Sequence, residues 1–424
     1  MAPRNEPFVT KPQAVDATIR VLSSLADIPR ADWDACANPG WDSSGVQAQL
    51  PPGCKEPGTQ TVAYNPFISH DFLWSLEESG AAVRKTGWLA QHLILDGADG
   101  RPAGVMPAYL KSHSMGEYVF DHGWAEAFER AGGRYYPKLQ AGVPFTPVPG
   151  RRLLVKPGAD SGLRRSTLAA GAVALARRLA VSSLHATFLT EADQDVLAEQ
   201  GFLRRTDQQF HFLNEGYGSF EDFLTVLSSR HRKTVRRERR DALAGGVEVV
   251  QLTGKDLTEA AWDAFFAFYM DTGNRKWGRP YLNRKFFSLI GERMADRILL
   301  ILATRNGKPI AGALNFIGSD TLYGRYWGAL EEQPFLHFEL CYYQAMDWAI
   351  AHRLPRVEAG AQGEHKVARG YRPTTTYSAH WIADASFRRA VSDYLERERR
   401  QVAADETALA AYLPFREANP ESGE

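Results

Sequence analysis

Cysteine is scarce in this chain, with three residues in 424. Cys36, Cys54 and Cys341 show neither a disulfide framework nor a metal-binding spacing. Cys341 sits in an apolar helical pattern and reads as a small core residue. Long hydrophobic runs are also missing. None approaches 18 residues, so no membrane-spanning helix is expected. The opening stretch MAPRNEPFVTKPQAVD has no apolar leader core, and a cytoplasmic location is the expectation. Excess charge is absent too: 50 Lys and Arg balance 50 Asp and Glu, so no global field selects nucleic acid or a membrane. The chain has no Walker loop, dinucleotide fingerprint or G-x-S-x-G elbow. His365 and His380 stand 15 residues apart without paired ligands beside them, and no metal is expected.

What is present points to a globular protein. Its 44% hydrophobic and 24% charged content is ordinary for that class, and its length suits two domains. Residues 92–110 (HLILDGADGRPAGVMPAYL) and 299–317 (LLILATRNGKPIAGALNFI) each read as strand, tight turn, strand. Asp99-Gly100 and Asn306-Gly307 supply the turns, because these dipeptides tolerate the positive φ of a hairpin. Gly104 and Gly312 mark bulges in the second strands. Farther on, Tyr118–Trp124 (YVFDHGW) parallels Tyr323–Ala329 (YGRYWGA), and Leu139–Gly142 parallels Val357–Gly360. Each half reads as one or two helices, a meander of strands and another helix. The helices are Ser69–Ser79 and Gly162–Ala180 in the first half. In the second they are Trp262–Asp271, Arg284–Ala295 and Phe335–His352. This order predicts an α/β, or mixed α+β, fold of two duplicated domains, 1–214 and 215–424, divided within Asn214–Ser219. Residues 38–61, rich in Pro, Gly and Ser, read as a loop insertion, and Glu417–Glu424 as a fraying end.

Residues 219–244 read as one helix, capped by Ser219 and ended by Gly245-Gly246. Seven of the 11 residues from Arg230 to Arg240 are Lys or Arg. Arg232, Arg236 and Arg239 or Arg240 share a face that would hold a phosphate of a nucleotide, CoA or tRNA backbone. The other reading is a solvated charged face, aided by Glu238 and Asp241. No aromatic residue is interleaved, which argues against stacking of single-stranded bases.

The densest chemistry lies in Val357–Trp381. A short strand-like run ends at Val357 and opens into a Gly-rich segment carrying Glu358, Glu364, His365, Lys366 and Arg369. A second strand-like run follows at Tyr377–Ile382. Acids, an imidazole and cations just past a strand end suit a catalytic site, and an ordinary polar loop is the bland alternative.

Several ordered motifs carry a family resemblance. They include Asn65–Leu73 (NPFISHDFL), Tyr118–Trp124, Tyr135–Gln140 (YYPKLQ) and Pro144–Pro147 (PFTP) with Gly150–Leu154 (GRRLL). In the second half they are Gly360–Lys366 (GAQGEHK), Arg369–Pro373 (RGYRP) and His380-Trp381. Over about residues 65–395 the chain resembles the FemAB-like N-acyltransferases, labelled peptidoglycan biosynthesis/recognition proteins. The resemblance implies two tandem GNAT-type acyltransferase folds. It also implies transfer of an acyl or aminoacyl group, from acyl-CoA or aminoacyl-tRNA, to an amine on a small molecule or peptide. The basic helix would then meet tRNA. Ordinary GNAT enzymes hold the CoA pyrophosphate with a Gly-rich loop before the central helix. Here that place reads Leu330–His337 (LEEQPFLH), with two acids and no glycine, which speaks against ordinary CoA binding.

Acyl transfer to an amine needs a base, donors for the oxyanion and a cradle for the acyl donor. His365 or Glu364 is the candidate base, the imidazole having the better intrinsic pKa. Lys366 joins them, and Lys366 and Arg369 would hold a phosphate or carboxylate. Asp121 and His122 would face the same cleft from the first half, although Asp121 also suits a helix cap. Tyr326, Trp327, Tyr371 and His380 complete the candidate substrate-binding set, with Tyr326 and Trp327 as walls. The alternative is a non-catalytic module that recognises a peptide, a glycan or a phosphate-bearing ligand.

Overall fold

A computed structural model of the chain describes residues 18–42, 62–276, 280–360 and 363–416. Most of the 38–61 insertion and all of the 417–424 end lie outside the described residues. In the first half the strands are β1 (Ile19–Leu22), β2 (Trp88–Ala90), β3 (His92–Asp96), β4 (Pro102–Met106), β5 (Ala108–Lys111), β6 (Lys138–Ala141), β7 (Leu154–Val155), β8 (Ser183–Leu189) and β9 (Leu203–Leu213). The second half contributes β10 (Val247–Leu252), β11 (Ile298–Arg305), β12 (Lys308–Ile317), β13 (Thr321–Ala329), β14 (Arg356–Glu358) and β15 (Arg372–Ile382).

Two sheets result. The smaller has the order β1-β3-β4-β7, and the larger runs β10-β11-β12-β13-β14-β9-β15-β8-β6-β5-β2. Apart from the edge strand β10, the larger order is symmetric about the β9–β15 pair, in direction as well as position. β13 lies parallel to β14 as β6 does to β8, and the flanking pairs are antiparallel. The mixed α/β class with two related halves, expected from the sequence, is present. The halves also exchange strands. β9 of the first half pairs with β14, and β15 of the second pairs with β8.

Strand patterning explains the layers. In β11, Ile298, Leu300 and Leu302 face one core while Leu299, Ile301 and Ala303 face another, so the run is apolar throughout. The first core joins both halves, packing Phe67, Phe72 and Trp88 with Phe286, Phe316 and Tyr323. The second core, under the helical run Leu336–Ala351, is completed by Phe210 and Phe212 of β9. The third core, around helix Ser161–Arg178, is completed by Ala379 and Trp381 of β15.

The Asn306-Gly307 turn has both residues at positive φ, joining Arg305 to Lys308 as the dipeptide predicts. Other expectations need correction. The second strand of the 92–110 unit divides at Pro107: β4 belongs to the small sheet and β5 to the large one. Proline has no N–H for a ladder, so the chain can change sheets there. Tyr118–Phe120 is a loop leading into helix His122–Arg130, whereas Tyr323–Ala329 is strand. By sheet position β14 corresponds to β8, and Leu139–Ala141 to β13; the LQAG–VEAG likeness does not equate the two sites. The 219–244 helix is two helices, Phe220–Val226 and Ser229–Ala242. Its backbone breaks because Leu227 bridges Phe415, and Ser228 N–H donates to the Pro414 carbonyl at 2.8 Å.

The exchange makes each half incomplete alone. Residues 1–214 or 215–424, produced separately, should show no cooperative thermal transition by circular dichroism, while the whole chain unfolds cooperatively. A stable isolated half would refute the dependence.

Candidate active site

A cleft forms where β13 and β14 part. They pair only from Thr321 to Tyr323 and from Arg356 to Glu358. Beyond that point β13 continues to Ala329, and the other chain turns off toward the 3₁₀ helix Glu364–Arg369. A bulge widens the gap. Gly324 opposes Asn315 and Tyr326 opposes Leu314, leaving Arg325 as the extra residue. A cavity of about 100 Å³ occupies the fork, lined by Asn315, Tyr326, Trp327, Cys341 and Tyr342 among others. Trp327 and His337 also line a wider hollow of about 600 Å³, bounded by Arg275, Glu331, Glu332 and Gln333.

The helical run behind the cleft contains a π turn at Glu339–Tyr343. Such turns widen a helix locally and recur at functional sites. This one carries Cys341 and Tyr342 into the fork. Polar tethers surround it. The wholly buried Glu339 accepts from Arg239 Nε at 3.1 Å and Nη2 at 2.9 Å, and Asp347 holds the same guanidinium at 2.6 Å. Tyr343 Oη donates to Glu238.

His365 lies beside this turn. Its Nε2 is 2.9 Å from Tyr342 Oη, and its ring packs on Phe338 with centroids 5.6 Å apart. Burial, then Arg369 and Lys366, hold the imidazole pKa below its usual value. Burial pushes the Tyr342 phenol up, so it stays protonated. The pair is therefore a neutral imidazole accepting from a phenol. Glu364, one residue earlier, is exposed.

The other predicted residues divide into groups. Lys366 is buried, and its Nζ donates to the Ala359 carbonyl at 2.7 Å and the Gly360 carbonyl at 3.2 Å. It thereby ties down the chain leaving β14. Burial, reinforced by Arg325, lowers its pKa to about 8. Arg369 makes a two-point ion pair with Glu238, at 2.7 and 3.0 Å, with its guanidinium 3.6 Å from the Phe338 ring centroid. These contacts lock the 3₁₀ helix to helix Ser229–Ala242. Tyr371 is buried 5.5 Å from Tyr342, centroid to centroid, and its hydroxyl has no partner among the described residues. Trp327 stands in the cleft wall, as does Tyr326, whose hydroxyl donates to the Phe145 carbonyl of the first half at 3.1 Å.

Asp121, His122 and His380 line neither hollow. Asp121 sits at the start of helix His122–Arg130 without capping it. Its carboxylate instead accepts from Lys138 and from Tyr135 at 2.7 Å. Burial opposes its charge, yet Lys138 and His185 hold its pKa well below the usual range. His380 Nδ1 is 2.7 Å from His185 Nδ1 in the same buried network, and His122 is exposed against Phe120.

Of the proposed phosphate ligands, Arg239 is consumed by Glu339 and Asp347, and Arg236 pairs with Glu221. Arg232 has no acidic partner among the described residues, nor have Arg230, Lys233 and Arg237. The outward cationic face therefore runs through Arg230, Lys233 and Arg237 at helical spacing.

Sequence reading missed Tyr342 and His337 as cleft residues. It also missed Arg325 and His211. Arg325 offered a signal, because a cation inside a two-sided apolar strand needs a buried partner. That partner is Glu358, at 2.7 Å. Among the described residues no cluster of His, Cys, Asp or Glu could hold a metal ion, and no helix is long and apolar enough to cross a membrane.

Two measurements follow. Arg239→Ala strands a buried carboxylate, so it should cost about 3 kcal/mol of stability. Replacing Arg230, Lys233 and Arg237 together by Ser should leave the Tm within about 2 °C. Chemical denaturation of the first variant and thermal denaturation of the second check this. Lys366 titrates near pH 8 in the folded chain and near 10.5 unfolded. The unfolded chain thus binds the extra proton between these values, and stability rises with pH across that window. Relative to Lys366→Met, the native protein should gain up to about 3 kcal/mol from pH 7.5 to 10.5. A flat difference would remove the buried cation from the account.

No curated protein matches the chain in sequence. Solved structures with related folds are distant. The crystal structure of FemX is 13% identical, with a TM-score of 0.47 over 74% of this chain and 93% of that one. The C-terminal domain of a putative lysylphosphatidylglycerol synthetase from Agrobacterium fabrum is 9% identical, with a TM-score of 0.46 over 75% and 91%. A tandem GNAT protein from the clavulanic acid biosynthesis pathway is 13% identical, with a TM-score of 0.43 over 87% and 99%. The family model for FemAB-like proteins, described as peptidoglycan biosynthesis/recognition, matches residues 24–417, and the chain belongs to that family.

Proposed function

We propose that the protein is an N-acyltransferase whose acyl donor lies in the fork between β13 and β14. The observation that carries this reading is the fork itself. It is a narrow slot between diverging strands, with Tyr342 on its wall, His365 hydrogen-bonded to Tyr342 behind it, and a wider hollow at its mouth. The acyl chain would occupy the slot, and the body of the donor would rest in the hollow. As the amine nitrogen attacks the acyl carbon, the C–N bond forms and the bond to the leaving oxygen or sulfur breaks. Neutral His365, through Tyr342, takes the proton shed by the attacking amine and returns it to the leaving atom.

Two features favour an aminoacyl ester over acyl-CoA. The turn before the central helix is held by side chains, with Gln333 donating to the Asp241 carbonyl at 3.0 Å and Glu331 paired with Arg305. It presents no glycine cradle for a pyrophosphate. Glu332 in the hollow, next to the Glu331–Arg305 pair, would attract an α-ammonium group. The outward cations of helix Ser229–Ala242 would then meet tRNA phosphates.

Transfer of radiolabelled acyl groups from aminoacyl-tRNA and from acetyl-CoA to an amine panel tests the reading. Tyr342→Phe and His365→Ala should each lower kcat by about 100-fold with little change in KM. In the native enzyme kcat/KM should fall as pH drops below 6.5, because protonation removes the base. His365→Gln should abolish that limb. Undiminished turnover in both Tyr342→Phe and His365→Ala would place the chemistry elsewhere.

A further inference from the structure

A second cavity, of about 370 Å³, lies between the halves at the centre of the large sheet. One row of cross-strand neighbours lines it. Tyr323 of β13 opposes Glu358 of β14, which opposes His211 of β9. Direct neighbours of this kind project on one face of the sheet with Cβ atoms about 5 Å apart. Glu358 is also the ion-pair partner of Arg325, and Arg325 lines the fork. The pair therefore divides the two cavities.

The polar atoms of the row have one character. Gln209 Nε2 donates to the Pro147 carbonyl at 2.8 Å, which turns its Oε1 toward His211 Nε2 at 3.3 Å. His211 Nε2 must then carry the proton, leaving Nδ1 a bare acceptor. His211 is 3% exposed, and Nδ1 has no partner among the described residues. Glu358 gives Oε2 to Arg325 Nη2 at 2.7 Å and keeps Oε1. Two acceptors on neighbouring buried residues, one of them a carboxylate oxygen, suit a cationic donor. Burial keeps the imidazole neutral and so unprotonated at Nδ1, although Glu358 pulls the other way. Elsewhere the lining offers the hydroxyls of Thr374 and Thr376, the Arg356–Asp320 pair at 2.8 Å, and two further charges, Glu191 and Arg151, whose guanidinium donates to the Ala37 carbonyl.

We infer that the central cavity seats an amine-bearing acceptor, its ammonium group docked between Glu358 Oε1 and His211 Nδ1 and its polar, uncharged body against the threonines. The site rests on the acyl-transfer reading for its purpose but not for its chemistry. The acceptor enters from the cavity on one side of the Arg325–Glu358 pair, and the donor lies on the other. The ammonium group releases one proton to His211 Nδ1. The free amine then attacks the acyl carbon, and its second proton follows the Tyr342–His365 route to the leaving group. An amino sugar and the amino-terminal residue of a peptide share this chemistry.

Calorimetric titration of the whole chain, without any acyl donor, separates the possibilities. The probes are glucosamine and L-alaninamide, with glucose and N-acetyl-L-alaninamide as amine-free counterparts. At least one amine should bind at least tenfold more tightly than its counterpart, and which one binds separates sugar from peptide. His211→Phe and Glu358→Gln should each weaken that binding at least tenfold, and Tyr342→Phe should leave it unchanged. Should Glu358→Gln fail to fold, His211→Phe decides alone. No binding by either amine, equal binding by the counterparts, or full binding by His211→Phe overturns the site. Amine binding without any acyl transfer would preserve the site and defeat the enzymatic reading. Transfer that survives His211→Phe would do the reverse.

Discussion

Everything in this molecule depends on the pairing of β9 with β15 at the centre of the large sheet. Each of these strands closes a core whose other walls belong to the opposite half. Phe210 and Phe212 reach under the second-half helices, while Ala379 and Trp381 reach under the first-half helix. A parallel pair such as β13–β14 is short and forked, so it would be a weak edge if left open. Docking β9 on β14 covers that edge and fixes where the fork begins. The candidate site is thus a product of both halves, although most of its side chains come from one.

Electrostatics maintains the same geometry locally. Burial of a charge is tolerated only with a close partner. Around the fork that rule is met repeatedly, by Arg325 with Glu358, Arg239 with Glu339, and Arg369 with Glu238. The last two fasten the basic helix to the π turn and to the 3₁₀ helix that carries His365. Arg239, read from the sequence as a phosphate ligand, thus acts as a clamp, as does Arg369. The buried network of Asp121, Lys138, His185 and His380 does similar work in the first half, beneath helix His122–Arg130.

Much of the fold could be read from local pattern. Asn306-Gly307 announced a hairpin, and the helices expected at 69–79, 162–180 and 284–295 form at 70–78, 161–178 and 284–294. The features that escaped depend on distant chain. Helix 219–244 breaks because residues 414–416 pair with its middle, and nothing near Leu227 signals that. The resemblance of Leu139–Gly142 to Val357–Gly360 misled because short strand segments look alike, whereas sheet position sets equivalence. At the candidate site the sequence singled out Glu364–Tyr371, and two of its ionisable groups, Lys366 and Arg369, act as fastenings. Tyr342 and His211 gain a chemical context only from neighbours that distant segments supply, His365 for the first and Glu358 for the second.

Strand exchange also dictates a timetable. On the ribosome β8 emerges long before β15, the strand that must lie between it and β9. At about 5–20 residues per second the interval is roughly ten to thirty seconds. Throughout it the first half exposes the edges of β8 and β9, with the apolar surface meant for Trp381 uncovered. Those edges match what a second copy of the nascent chain could offer in its own β15, so folding is a race between closure within one molecule and closure between two. Dilute, chaperone-shielded synthesis favours the first outcome, and crowded overproduction favours intertwined dimers.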